Sequence, residues 1–283
     1  MKTILITGAS SGIGWDSVRC LDENNFQVVA TVRSQADADK ISKSFSKNVI
    51  PLIIDLTHLE DISDLPLKLK QKHQIEKLDG LVNNAGIALA GPFLDQDFSE
   101  IEQIIKLNVL SVMKLTQVLL PMLGAFKGSN HHGTIIQISS VAGKGGAPFL
   151  SAYSASKHAV EGFSTVLRKE LMLFGINVVV IGPGSIKTPI WNKGFGQIRD
   201  RYKNSIYANS FRKFISIALG EEKNALEVSA ISQLILRIFE QKNPSFRYAP
   251  IPRKWRNWYL PSILPKRLYN HLTAKTLGLL KKS

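Results

Sequence analysis

The chain opens on TILITGASSGIG (Thr3–Gly14), and the reading of this stretch decides the fold. An apolar run of strand length meets a turn with glycines at 8, 12 and 14, then a helical stretch from Ile13 to about Asn24. At such a helix start the first backbone N–H groups lack intrahelical acceptors, and with the helix dipole they face an anion. Gly8 permits the tight turn, Gly12 the close approach of a phosphate, and Gly14 the packing of helix on strand. Ser10, Ser11 and Ile13 complete the cradle. An ordinary βα turn is the bland alternative. The placement after a strand and at a helix start favours a dinucleotide site.

The next strand is Gln27–Val32, QVVATV, with Arg33 directly after it. An NAD site usually carries an acid at this strand end to hold the ribose 2′-hydroxyl. Val32 stands there instead, and the planar guanidinium of Arg33 suits a 2′-phosphate. NADP(H) is therefore expected in preference to NAD(H), the rival being a solvated arginine at a loop start. Further apolar runs at 49–54, 78–82, 134–138 and 176–181 alternate with helical stretches at 57–73, 99–126 and 151–174. Pro66 is placed to kink or break the first of these helices. Runs apolar throughout belong to a parallel sheet covered on both faces, so the fold class expected is a doubly wound α/β sheet. Asp55 and Leu56 end the third strand beside the expected adenine, and the fourth strand runs into NNAG at 83–86.

The chemistry is expected in ISSVAGKGGAPFLSAYSASK (138–157). Tyr153 and Lys157 stand four residues apart in a helical segment, which stacks them on one face. A free tyrosine titrates near ~10, and a lysine ammonium within ~4–6 Å favours the phenolate, so the pair reads as an acid/base centre. Ser140, at the end of the preceding strand, has a hydroxyl able to hold a carbonyl oxygen while the tyrosine gives or takes a proton. Among six tyrosines one such spacing arises easily by accident; the cofactor site upstream is what gives it weight. Asn108, in the middle of a helical stretch, is a poor helix former and needs a reason, a satisfied core amide being the bland one. His131 and His132 point in divergent directions without partner spacing, so they read as solvated loop residues and no metal is expected.

TGASSGIG (7–14), NNAG (83–86), Asn108, Ser140, Tyr153-x-x-x-Lys157 and PGSIKT (183–188), in this order, resemble the motif set of the short-chain dehydrogenase/reductase family over about residues 2–250. The resemblance implies a single doubly wound Rossmann domain with about seven parallel strands. It implies Tyr153 as general acid/base, Ser140 as the group orienting the carbonyl, and Lys157 as the residue that lowers the tyrosine pKa and binds the nicotinamide ribose. Asn108 would hold a water linking Lys157 to solvent. Asn83, Ala85 and Gly86 would lie along the cofactor and Asp55 near the adenine. Pro183 and Gly184 would shape the nicotinamide loop, with the Ile186 backbone and Thr188 meeting the carboxamide. Trp15, bulky and directly after GIG, departs from the pattern and is expected to crowd the helix packing. In this family the segment 191–218 would lie over the substrate. Here it carries Trp191, Phe195, Tyr202, Tyr207, Phe211 and Phe214 among basic residues, which suits a bulky apolar substrate or, alternatively, a solvated amphipathic helix.

Residues 1–250 read as one nucleotide-binding and catalytic domain and 251–283 as a basic, aromatic extension packed on or beside it. Between 242 and 283 there are ten Lys or Arg and no Asp or Glu, so this segment holds +10 of the net charge of +14 and leaves +4 for residues 1–241. The extension is expected to meet an anionic membrane or to close the substrate pocket, a nucleic-acid surface being least favoured. The single Cys20 excludes a disulfide framework, and neither a signal peptide nor a spanning segment is visible, so a cytoplasmic protein, peripheral to a membrane at most, is expected. A homodimer or homotetramer is expected from the apolar residues of the helices at 99–126 and 151–174 (Leu107, Val109, Val112, Leu115; Val160, Phe163, Leu167, Leu171). The function expected is hydride transfer between NADP(H) and a hydrophobic ketone or secondary alcohol of steroid, retinoid or long-chain type. A 3-oxoacyl-thioester reductase and a non-catalytic NADP(H) sensor are the rivals. If Arg33 selects the phosphate, Arg33→Ala weakens NADPH far more than NADH in a fluorescence titration; equal loss for both makes Arg33 a bystander.

Overall fold

Seven parallel strands form one sheet in the order β3-β2-β1-β4-β5-β6-β7, in a computed structural model that describes residues 1–188, 201–259 and 263–281. The strands are β1 (Thr3–Ile6), β2 (Gln27–Val32), β3 (Val49–Ile53), β4 (Gly80–Asn83), β5 (Thr134–Ile138), β6 (Asn177–Ile181) and β7 (Arg247–Tyr248). Successive residues of a strand point to opposite faces. Here Ile4, Ile6, Val28 and Ala30 enter one core while Leu5 and Val29 enter the other, which is why these runs are apolar throughout. The first core is covered by α1 (Gly12–Glu23), α2 (Gln35–Ser44) and α9 (Ser229–Glu240). The second is covered by α3 (Leu59–Ser63), α4 (Leu65–His73), α6 (Ser111–Leu119) and α7 (Ser151–Leu171). The order of the strands reverses direction between β1 and β4, and the crevice at that switch point, outside the strand carboxyl ends, is where this architecture binds ligands.

Several boundaries differ from expectation for local reasons. The helix expected at 57–73 is two, α3 and α4, joined at Asp64. Pro66 stands in the first turn of α4, where a missing N–H costs nothing. The helix expected at 99–126 is α5 (Phe98–Ile105), a π turn (Lys106–Leu110) and α6, closed by a 3₁₀ turn (Pro121–Leu123) and Gly124 at φ +104°. His131 and His132 are not merely solvated: ring nitrogens meet the carbonyls of Leu78 (2.7 Å) and Phe174 (2.8 Å) and tie their loop to two neighbours. Trp15 crowds nothing, because it leans on Phe45 of the α2 turn, ring centroids 4.7 Å apart, under the Lys40 ammonium. Leu107, Val109, Val112, Leu115, Val160, Leu167 and Leu171 are all buried within one chain, so they need no second copy to cover them. β3 is an edge strand carrying Pro51 in register with Ala30.

Behind the sheet's carboxyl edge a buried ion pair joins distant parts of the chain. Arg247 of β7 forks onto Glu161 of α7 (Nε to both carboxylate oxygens at 3.1 Å), and Lys144 approaches the same carboxylate at 3.4 Å. Trp258 stacks over the guanidinium at 5.1 Å. A carboxylate this deep without its partner is strongly destabilising. Arg247→Met should therefore lower the unfolding free energy by ~3 kcal/mol in urea titrations, and adding Glu161→Gln should restore most of it. A loss under 1 kcal/mol would place the pair among inert surface bridges.

Candidate active site

The cradle at the start of α1 has the geometry its glycines require. Gly8 and Gly12 sit at φ +67° and +57°, and a Cβ on Gly14 would lie 2.2 Å from the Gly8 carbonyl oxygen. Ser11 caps α1 with extended backbone but makes no side-chain bond to the first turn, so those N–H groups remain available to a ligand anion. Ser10 and Ile13 are half-buried beside it. Thr7, which sequence reasoning did not single out, holds the cradle in place. Its hydroxyl accepts from the backbone N–H of Asn84 and of Ala85, both at 2.9 Å, while the Asn84 amide donates to the carbonyls of Thr7 (2.8 Å) and Gly8 (3.2 Å). Ala85 and Gly86 thus face the turn.

Two residues expected along the cofactor turn their side chains elsewhere. The Asn83 amide is buried against the Thr116 hydroxyl (3.0 Å), and the Leu56 side chain lies in the second core, so each has only backbone to offer a ligand. Asp55 is half-buried. Burial pushes its carboxyl up, but hydrogen bonds from the Thr57 N–H and hydroxyl, with His58 and Arg33 nearby, outweigh it and hold it below the usual value. Arg33 itself is exposed at the end of β2, on the same rim.

The carboxyl ends of β5 and β6 bring the remaining candidates together. Val141 N–H donates to the Pro183 carbonyl (2.9 Å), which joins the Ser140 loop to the loop after β6. Gly184 packs against Ile251 and Pro252, Ile186 bridges to Leu226, and Thr188 is the last residue described before 201. The Ser140 hydroxyl meets the Tyr153 phenol, as well as accepting from Ala142 N–H at 3.1 Å. Lys157, 6 % exposed, donates to the Ile138 carbonyl at 2.8 Å, and its ammonium is 5.8 Å from the Tyr153 ring. Asn108, on the π turn, accepts from Ile87 N–H (2.9 Å) and donates to the Ile87 carbonyl (2.9 Å) and the Ser156 hydroxyl (3.0 Å). A Cβ on Gly86 would come within 3.1 Å of the Asn108 amide oxygen and 3.7 Å of the Lys157 nitrogen, so a side chain there would fill the space between them.

Burial pushes the Tyr153 phenol above, not below, its free value, and the bond to Ser140 draws it back only in part. The same burial brings the Lys157 ammonium down to about 8. In both, burial disfavours the charged form.

Beside this centre lies a buried aromatic cluster. α8 (Ala208–Glu222) brings Phe211 and Phe214 onto Phe149, ring centroids 5.3 and 5.6 Å apart, and Tyr202 onto Phe211 at 5.3 Å. Tyr153, Leu150 and Leu277 belong to the same buried cluster. Over 201–218 the segment is amphipathic: Tyr202, Phe211 and Phe214 are buried while Arg201, Lys203, Arg212 and Lys213 are exposed; Trp191, Phe195 and the rest of 189–200 lie outside the described residues. Leu277 comes from α10 (Lys266–Leu277), which packs on α8, so one side of the extension joins the cluster. Among the described residues no group of ligands could hold a metal ion, and no helix is long and apolar enough to cross a membrane.

With this geometry in view, the comparisons are direct. The family model for short chain dehydrogenase matches residues 2–197, and the chain belongs to the short-chain dehydrogenase/reductase family. An NADPH-dependent 3-dehydrocapnine reductase of Ornithobacterium rhinotracheale is 35 % identical over 283 residues, covering 98 % of each chain. A 3-ketodihydrosphingosine reductase of Bacteroides thetaiotaomicron is 32 % identical over 247 residues, 87 % of this chain and 86 % of that one. A short-chain dehydrogenase from Streptomyces avermitilis superposes with a TM-score of 0.75 at 24 % identity, over 99 % of this chain and 98 % of that one. The protein is an NAD(P)-dependent oxidoreductase acting on a carbonyl or alcohol, which sets the sensor alternative aside.

A lysine held below its free value is a cost to the fold. The unfolded chain keeps the proton between about 8 and 10.5 while the folded chain releases it, so stability rises with pH across that window. Lys157→Met should raise the unfolding free energy of the ligand-free protein near neutrality by ~1–3 kcal/mol and remove that pH dependence, while activity is lost. A variant less stable than the parent at pH 7 would show that Lys157 is held by compensating charge.

Proposed function

We propose that the protein is an NADPH-dependent reductase of a ketone on a bulky, lipid-like substrate. The observation that carries this reading is the buried aromatic cluster that α8 and Leu277 form with Tyr153. An apolar cluster of Phe149, Phe211 and Phe214, with the partly buried Tyr207, at the catalytic tyrosine favours a substrate with an apolar chain or ring system. The relatives named for reduction of 3-dehydrocapnine and 3-ketodihydrosphingosine support the same reading.

The N–H groups at the start of α1 would hold the pyrophosphate, Asp55 would lie by the adenine, and Arg33 would take the 2′-phosphate, which is why NADPH is preferred here to NADH. When bound, the cofactor supplies the hydride. The chain's own residues do the rest. Ser140 holds the carbonyl oxygen, and Tyr153, kept protonated by its burial, donates the proton to that oxygen. Lys157 beside it stabilises the phenolate so formed and reaches the ribose. Asn108, braced on Ile87 and Ser156 by the π turn, positions the route by which the proton is replaced. A proton held on the phenol before hydride arrives suits reduction better than oxidation, where the tyrosine must start as the base.

A homo-oligomer is part of this reading: α7 exposes Val166 and an open Gly162, and the π turn exposes Leu110, so the two helices offer a small apolar surface although their cores are covered. The decisive test is Tyr153→Phe with NADPH and a panel of small and long-chain ketones. Activity should fall ~10²–10⁴-fold, with NADPH binding unchanged within a few-fold. Full retention of activity removes Tyr153 from the chemistry.

A further inference from the structure

We propose that the outer face of the C-terminal extension is a docking surface for an anionic lipid bilayer, placed on the side of the protein where its inner face packs into the cluster around Tyr153; this rests on the lipid-like substrate proposed above. α10 has two apolar sides. At ~100° per residue, Leu277 lies about opposite Leu268 and Leu272. Leu277 is buried in the cluster that holds Tyr153, whereas Leu268 and Leu272 are exposed at 46 % and 45 %. The π turn Trp255–Tyr259 just before it exposes Trp255 at 70 %, its ring tilted against Tyr259 at 5.9 Å, with the Lys254 ammonium 5.7 Å from the tyrosine ring. Interleaved with these apolar groups, Arg253, Lys254, Lys266, Arg267, Lys275 and Lys281 are all exposed, in a segment with no acid of its own.

The charge decides what covers this face. A second copy would bring its own exposed basic residues against those of the first, so self-pairing is repulsive. A surface of one sign with Trp and Tyr among the basic residues, rather than a purely apolar groove, matches the boundary of an anionic bilayer, where indoles and phenols sit at headgroup level and lysines reach phosphate. The helix is then a partition, with lipid on one side and the cluster around Tyr153 on the other.

The test uses the full-length protein with NADPH and vesicles of phosphatidylcholine alone or of equimolar phosphatidylcholine and phosphatidylglycerol, read by co-sedimentation. Binding is expected to the anionic vesicles only and to weaken with salt. Arg267→Gln with Lys275→Gln should lower it by about tenfold or more, and Leu268→Ser with Leu272→Ser by a similar factor. Both double variants should keep the parental rate on a small soluble ketone, which also shows that they fold. Equal binding to neutral vesicles, no binding at all, or a dimer dissolved by the leucine variants would overturn the proposal. Such failure with long-chain ketones still reduced in detergent leaves the substrate reading intact. Binding with only small ketones reduced means that the surface stands and the lipid substrate does not.

Discussion

The hydroxyl of Thr7 ties together the two crossovers on which the site depends. It takes the backbone N–H groups of Asn84 and Ala85, and a contact to the Val82 carbonyl at 3.3 Å completes its set. Where two loops leave a parallel sheet side by side, their backbone groups are cut off from both ladder and water and must find partners. One threonine and one asparagine do this for β1 and β4, and the glycine turn is fixed in place as a result. The switch-point crevice is therefore held in shape by bonds within the chain itself.

The catalytic centre shows the opposite economy. Ser140, Tyr153 and Lys157 are brought to one place by β5 and by α7, and burial raises the phenol and lowers the ammonium, so that the charged form of each is disfavoured. The ion pair of Glu161 with Arg247 lies farther along the same helix. It fastens α7 to β7 and keeps the catalytic face at a fixed distance from the loops after β5 and β6. The chemistry depends on a rigid backing made by residues that never touch the substrate.

Much of this was legible in the sequence because it rests on local pattern. The apolar runs at 27–32 and 134–138 became strands with those limits, and the cradle glycines took the backbone shapes assigned to them. What was not legible depends on burial or on distance along the chain. The tyrosine–lysine spacing fixed their shared face but not how much water the fold removes from them, and that reversed the direction of the phenol's shift. The residues of α6 and α7 read as apolar all round were covered by the chain's own sheet and loops. Asn84 was passed over for Asn83, since neighbouring asparagines give no hint of which turns inward. Glu161 and Arg247 are 86 positions apart, and Leu277 reaches Tyr153 from still farther, which no periodicity could announce.

Pro51 has a consequence for assembly. In the β2–β3 ladder Ile54 N–H donates to Val32, and alternation by two puts the nitrogen of residue 51 on the outward side. Proline has no proton to offer there, so the free edge of the sheet is a poor template for another strand. Copies of this protein are thereby steered away from growing one continuous sheet across the β3 edge, and any closed symmetric particle must be put together through helices or through the opposite edge.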